Sequence, residues 1–376
     1  MSINQKQEKT IRKIQKNEIL LRKSYVERDE VFNLLFIAYL ANMNVLMLGA
    51  PGLAKSHILK NFAHIFDGKF FFIQLMKSTK MEELAGPYRL TELRNDLLVR
   101  NTDRKLPWAD FAFIDEVFHG SSHILQGLNE ILNEKTYEGN PIPLKIAVGT
   151  TNFVTDDIEV EAFYDRWTCR YFVRDIMSSK NFQKMFDLPE FNPVKINMGE
   201  MEDLANLLPA VDISNIIPVV SELRDNLRDI EIEASPRRWM QGMQLIRASA
   251  LLNERMVATS EDMQVLRHIL WDTEQQIEPV RKQVESVVDP TLRQLHEFIL
   301  QGKELYEMGN SLNPRNNAEL QSIASNVNAL ERLEDDIERI LTRGDISPMV
   351  RQMGEQTKNS IQIYRNRLFN RMSSAV

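Results

Sequence analysis

At 376 residues the chain is long enough for two or three domains with cores of their own, and its 43% hydrophobic content excludes disorder on a large scale. Its single cysteine, Cys169, excludes an internal disulfide framework and a cysteine-based zinc knot, in keeping with a reducing compartment. A formal net charge of −7 gives no global attraction for nucleic acid and argues against it as a partner, a local basic groove being the remaining route.

Met1 to Asn17 is polar and rich in Lys, Gln and Glu, without the apolar stretch of a secretory signal, and no later run approaches membrane-spanning length. The expectation is a cytoplasmic protein with no membrane insertion. Residues 5–24 alternate charged side chains with Ile11, Ile14, Ile19, Leu20 and Leu21, which predicts a helix, and Val31 to Leu40 predicts a second, strongly apolar one. Both are expected to pack against the first strand and to wall a pocket. Asn44-Val45-Leu46-Met47-Leu48 reads as a strand buried on both faces of a parallel sheet.

The stretch Gly49-Ala50-Pro51-Gly52-Leu53-Ala54-Lys55-Ser56 follows it, and Ile58, Leu59, Phe62, Ala63 and Phe66 then recur at helical spacing. A strand, a glycine-bearing turn and a helix in that order aim backbone N–H groups at phosphate oxygens, at the positive end of the helix dipole. Lys55 is then placed for the β- and γ-phosphates, and the Ser56 hydroxyl for Mg²⁺. The pattern G-x-x-x-x-G-K-[ST] is met except that Ala54 replaces its second glycine. The competing reading is a Gly/Pro turn before a helix with an exposed lysine.

Phe70 to Leu75 predicts a second buried strand, and Lys77 to Leu98, with its Gly86-Pro87 break, predicts a small hairpin inserted beside a helix. Phe111-Ala112-Phe113-Ile114-Asp115-Glu116 is an apolar strand ending in two carboxylates, which emerge at the carboxyl end of a parallel sheet, where such sheets bind ligands. Asp115 suits a Mg²⁺ held through water, and Glu116 an attacking water; the alternative is a solvated acidic turn. Ser121 to Glu134 predicts a helix. His119 and His123 lie four apart, but no third ligand completes a zinc pattern, and an ordinary surface or interface pair is the better reading. Ile146 to Asn152 is another buried strand whose terminal Asn152 suits the γ-phosphate or the lytic water, although Asn is also a common turn residue. Arg166, in Glu161-Ala162-Phe163-Tyr164-Asp165-Arg166-Trp167, either pairs with a nearby carboxylate or, in a ring, stabilises the transferred phosphoryl group of the neighbour. A last strand is predicted over Thr168 to Val173.

From Asp175 the pattern is helical, with amphipathic faces at Val219-Leu223-Leu227 and Met240-Met243-Ile246. Ser235-Pro236-Arg237-Arg238-Trp239 reads as a helix start, with Ser235 as N-cap. Arginines there oppose the dipole unless an anion is near, which makes Arg237 a candidate phosphate sensor against the alternative of two solvated arginines. Beyond Pro279 the chain is charged and Gln/Asn-rich; Ile323, Leu330 and Ile337, seven apart, mark a packing seam in about three helices without a catalytic constellation.

Taken together these motifs resemble the AAA+ ATPases, and among them the MoxR family, through GAPGLAKS, FIDEVFHGSSHILQGLNEILNEKTYEGN and EAFYDRW. KSTKMEELAGPYRL, the TTN strand end, SPRRW and LWDTEQQIEPVRKQVE are most similar to the RavA-type subgroup. The resemblance spans roughly residues 20–285 and implies an α/β fold: a P-loop AAA+ parallel-sheet core with a helical lid and an all-α C-terminal segment. It divides the chain into an N-terminal helical segment (1–24), the core (25–180), the lid (181–280) and a C-terminal hairpin or bundle (281–376). It implies ATP and Mg²⁺ as cofactors, with Gly49, Ala50, Pro51, Gly52, Leu53, Ala54, Lys55, Ser56 and Asp115 binding nucleotide and Ser56 and Asp115 the metal. Glu116, Asn152, Arg166 and Arg237 become catalytic base, first sensor, arginine finger and second sensor, with Arg238 the substitute for Arg237. It further implies a hexameric ring and chaperone-like or maturation work with a von Willebrand factor A domain protein, the client itself being unspecified. A nucleotide-gated scaffold and a nucleic-acid motor are the rival functions. RavA proteins insert a largely β domain among their C-terminal helices to contact a lysine decarboxylase; residues 281–376 lack room and strand pattern for it, so decarboxylase binding is not implied.

Overall fold

The computed structural model of the protein describes residues 2–152, 163–314, 316–344, 346 and 348–373. Apolar runs of four to six residues build its sheet: β1 (Val45–Leu48), β2 (Phe70–Gln74), β3 (Phe111–Asp115), β6 (Ile146–Thr151) and β7 (Cys169–Phe172), in the order β2-β3-β6-β1-β7, with every pair parallel. The register sets Val45 against both Val148 and Cys169. A separate two-stranded hairpin, β4 (Thr136–Tyr137) and β5 (Asn140–Pro141), turns through Glu138 and Gly139, both at positive φ. Sequence patterning did not foresee it.

Two expectations about the sheet change in three dimensions. β2 is an edge strand, so only Phe71 is buried while Phe70 and Phe72 are exposed. In the insertion that follows it, Tyr88 pairs with Arg100 in an isolated antiparallel bridge, but Leu90–Leu93 between them is a helical turn rather than strand.

The helices follow from their caps and stripes. In α1 (Gln5–Ser24), Asn4 and Gln7 form a reciprocal capping box and Ile11, Ile14 and Leu21 are buried. α1 is tied to segments far along the chain: Asn17 exchanges hydrogen bonds with the Val194 backbone at 2.8 and 2.9 Å, and Lys13 meets Glu200 at 2.7 Å. Gln15 donates to the Leu252 carbonyl at 3.1 Å. α2 (Asp29–Leu40) is apolar all round and accordingly buried from Val31 to Leu40 apart from Asn33. α3 (Lys55–Ala63) follows β1, and α4 (Ser122–Glu134) buries Ile124, Leu125, Leu128, Ile131 and Leu132. After β7 come α5 (Ser179–Lys184), α6 (Met198–Ala205), α7 (Ile217–Asp229) and α8 (Pro236–Leu252).

α8 buries Leu245, Ile246 and Ala248, with Gly242 close to Leu266 and Ile269. The expected Met240-Met243-Ile246 face is therefore buried only in part: Ile246 is buried while Met240 is 67% exposed. A buried carboxylate, Asp262, braces this region by accepting from Arg255 at 2.7 and 2.9 Å and from Ser249 Oγ at 2.8 Å. The chain divides into compact units at residues 1–280 and 281–376. In the second, α9 (Pro290–Ser311), α10 (Asn317–Leu341) and α11 (Pro348–Ser373) surround Leu295, Ile323, Leu330, Ile337 and Ile361, all buried. Among the described residues no helix is long and apolar enough to cross a membrane.

One close approach in the sheet decides how the segment before β7 sits. Trp167 is fully buried against Gly149 of β6, where an added Cβ would lie 2.8 Å from the indole. Gly149→Ala is expected to cost about 1–3 kcal/mol in urea denaturation, and Trp167→Phe in the same chain to recover part of that loss by making room.

Candidate functional site

Gly49, Gly52 and Ala54 all take positive φ, at 142°, 84° and 62°. Gly49 is required twice over, since an added Cβ would also stand 2.4 Å from the Val173 carbonyl oxygen. Ala54 occupies the left-handed region that a glycine fills at no steric cost. The backbone N–H groups from Gly52 to Ser56 have no acceptor among the described residues, as the open start of a helix requires. Lys55 is buried and its Nζ turns onto the loop, donating to the Gly49 carbonyl, to Ala50 O at 3.2 Å and to Asn152 Oδ1 at 3.1 Å. Burial pulls its pKa below the ordinary lysine value, and the carboxylates of Glu116 and Asp115 restore part of that.

The strand ends converge on this lysine. Asp115 accepts from the Thr150 hydroxyl and from the Glu116 N–H at 3.2 Å, which fixes one carboxylate oxygen. Glu116, in left-handed backbone at φ 52°, accepts from Asn152 Nδ2 at 2.7 Å, while His119 Nδ1 lies 3.4 Å from its other oxygen. The residues expected at a nucleotide's phosphates are thus brought together at the carboxyl end of the sheet. Thr150 and His119 join them without having been foreseen in that role. Unpartnered amides, a buried ammonium and a fixed carboxylate form the donor set that a Mg²⁺-triphosphate needs, so the residues fit it.

A cavity of about 720 Å³ opens beside the loop, touching Gly52, Ala54, Tyr25, His57, Phe182 and Met185. Tyr25 Oη lies 2.8 Å from His57 Nδ1 and accepts from Asn61 Nδ2 at 2.8 Å; burial pushes its pKa up to about 12. The far wall is clamped by Glu27, whose carboxylate accepts from the N–H groups of Met177 at 2.9 Å and Ser178 at 3.2 Å and from Asn181 Nδ2 at 2.9 Å. Of the two helices expected to wall a pocket, α1 reaches this cavity through Ser24 at its end, and the connection to α2 through Tyr25, Val26 and Arg28.

The two arginines lie elsewhere. Asn44, immediately before β1, donates to the Leu132 carbonyl at 2.9 Å and accepts from Lys135 at 2.8 Å, so the last turn of α4 sits at the amino end of the sheet. Arg237 is exposed and donates to Asn133 in that same turn at 3.0 Å. Arg166 precedes the start of β7, whose Cys169 N–H bonds the Asn44 carbonyl at 3.1 Å, and its Nε is buried without a hydrogen-bond partner among the described residues. At about 3.3 Å per residue, β1 alone separates both from the phosphate loop by roughly 13 Å. Glu161 and Ala162, which open the block containing Arg166, lie outside the described residues.

Arg238 differs from its neighbour by being buried. It donates to Asp165 at 2.7 Å and to Asp272 at 3.1 Å. Asp272 also receives the fully buried Arg170 at 2.7 Å, whose guanidinium lies 3.9 Å above the Tyr164 ring centre. One carboxylate thus joins β7, the start of α8 and, through Arg238, the residue beside Arg166.

A family model for the MoxR domain in MoxR–vWA–β-propeller ternary systems matches residues 12–188, and an AAA lid domain model matches residues 215–284. Two uncharacterised proteins of Methanocaldococcus jannaschii are 35% and 34% identical to the chain over 267 and 259 residues, covering 69% and 67% of it and 70% and 69% of their own lengths. The chain belongs to the MoxR family of AAA+ ATPases. A Cytophaga hutchinsonii protein, designated a candidate ATPase, superposes on this MoxR chain with a TM-score of 0.58 at 20% identity, covering 75% of this chain and 95% of that one. At that identity the likeness concerns the fold.

Burial raises the Asp272 pKa, but the Arg238 hydrogen bond and the charges of Arg170 and Arg238 outweigh it and hold the carboxyl below its ordinary range. Its contribution is therefore present above the unfolded value of about 3.9 and lost as pH falls through the lowered folded value. With Asp272 partly exposed, Asp272→Ala should cost about 2–3 kcal/mol at neutral pH, less than a fully buried pair. Urea titrations should show that difference shrinking only at acid pH.

Proposed function

We propose that this MoxR chain hydrolyses ATP, with Mg²⁺, at the seam between adjacent copies of a ring, and uses the cycle to remodel a protein partner. The observation that carries the reading is the opposition of the two sites: the phosphate-loop groups gather at the carboxyl end of the sheet, while Arg166 and Arg237 stand at its amino end. Neither arginine can serve the nucleotide of its own copy without crossing the sheet. Each is presented to another copy.

Within one copy the contacts support the roles that follow, except that Ser56 takes its role from the sequence pattern. Backbone N–H groups of Gly52 to Ser56 and the Lys55 ammonium bind phosphate oxygens, and Ser56 and Asp115 hold the metal. A bound Mg²⁺-triphosphate supplies the phosphoryl group and neutralises part of its charge. Glu116 accepts a proton from the attacking water, and Asn152, bonded to both Lys55 and Glu116, aligns the two. Arg166 of the adjoining copy balances charge developing at the phosphoryl group, an effect worth about 10³ to 10⁵ in rate in related systems, and Arg237 of that copy acts as second sensor.

A von Willebrand factor A domain protein is the proposed partner, consistent with the systems named in the matching family model. Six copies and membership of the RavA-type subgroup rest on the sequence blocks quoted above. An assembly scaffold with little turnover would not need the bonded Asn152–Glu116 pair, which favours the motor reading.

Glu116→Gln is expected to bind ATP normally but to release phosphate at least about 10²-fold more slowly. Lys55→Ala should lose ATP binding in a fluorescent-nucleotide titration. Mixing Lys55→Ala with Arg166→Ala, each inactive alone, should restore measurable phosphate release through hybrid seams. No recovery in rings shown by mass to be mixed would refute action between copies.

A further inference from the structure

Among the exposed apolar features of the described residues, two lie beside groups discussed above. The first is a groove of about 580 Å³ between α7 and the start of α8, lined by Val220, Trp239, Met240 and Met243, with Arg224, Arg228 and Glu233 on its rim, Arg228 Nε lying 4.0 Å from Glu233. Met240 lies three residues beyond Arg237 on the same helical face. The second is a knob on the outer wall of the nucleotide cavity: Met177 is 82% and Phe186 71% exposed, and Phe186 packs edge-on against Phe182 at 5.5 Å, followed directly by Asp187. Phe182 faces the cavity that also touches Ala54, so knob and phosphate loop flank one space.

We infer that the groove of one copy receives the Met177–Phe186 knob of the next. The inference rests on the proposed action of Arg237 between copies. If Arg237 reaches the phosphates held by a neighbour, the groove one helical turn away comes against the wall of that neighbour's cavity, where the knob stands. Apolar surface then meets apolar surface, with Asp187 of one copy facing Arg224 on the rim of the other, whose Arg228 already meets Glu233. The contact is heterologous, groove to knob, as a closed ring requires.

The chain suits a direct test, because its one native cysteine is buried. Phe186→Cys and Met240→Cys are introduced into separate full-length chains carrying Glu116→Gln, mixed with ATP and Mg²⁺, and oxidised mildly. A disulfide-linked dimer is expected from the mixture, at least tenfold above either chain alone. The Lys55→Ala and Arg166→Ala mixing assay is run in parallel. Recovered hydrolysis with no cross-link above the single-chain controls would overturn the groove contact while leaving action between copies intact. Failure of the wild type to assemble, together with no recovery, would remove both.

Discussion

Five parallel strands oblige each connection to return across the sheet, so groups that follow strands and groups that precede them occupy opposite edges. In this chain that constraint sorts the chemistry. Lys55, Asp115, Glu116 and Asn152 follow β1, β3 and β6; Arg166 precedes β7, and Arg237 is bonded to the turn of α4 beside the beginning of β1. A cation at one edge and a phosphate grip at the other cannot meet in one copy by side-chain movement alone. In the proposed reaction, assembly brings them together.

The second edge is organised by Asp272. Without it, Arg170 would be a buried guanidinium with no carboxylate within reach among its described contacts, and Arg238 would keep only Asp165. The same carboxylate also links the start of α8 with β7, so the segments bearing Arg166 and Arg237 share one anchor. In the proposed reaction this makes the two arginines arrive or leave as a pair. Their separation from the phosphate loop and their attachment to each other are parts of one arrangement.

Much of the phosphate edge was legible in the sequence because β3 and β6 are short apolar runs that end in Asp115-Glu116 and Thr151-Asn152, and β1 runs straight into the glycine-bearing loop. Burial was less legible. Phe70, Phe71 and Phe72 are chemically alike, and only the order of strands makes two of them surface residues. Of the apolar face Met240-Met243-Ile246, Ile246 is buried but Met240 is exposed, because α8 sets Gly242 against Leu266 and Ile269, distant in the chain. Arg237 and Arg238 are adjacent and equivalent by composition; which one is buried depends on Asp165 and Asp272, 73 and 34 residues away from Arg238. The hairpin at Thr136–Pro141 did carry a signal, Glu138-Gly139 between short flanks, that its brevity concealed.

α1 opens the chain, yet its bonds run to Val194, Glu200 and Leu252. Meanwhile Glu27, just past its end, grips the backbone at Met177 and Ser178, where the chain leaves the sheet. The entry to the α/β core and the exit from it are therefore stapled side by side, and α1, which also packs on α2, is bonded to the segments beyond that exit. A fluorophore on an exposed residue of α1 would therefore report any swing of those helices about the staple.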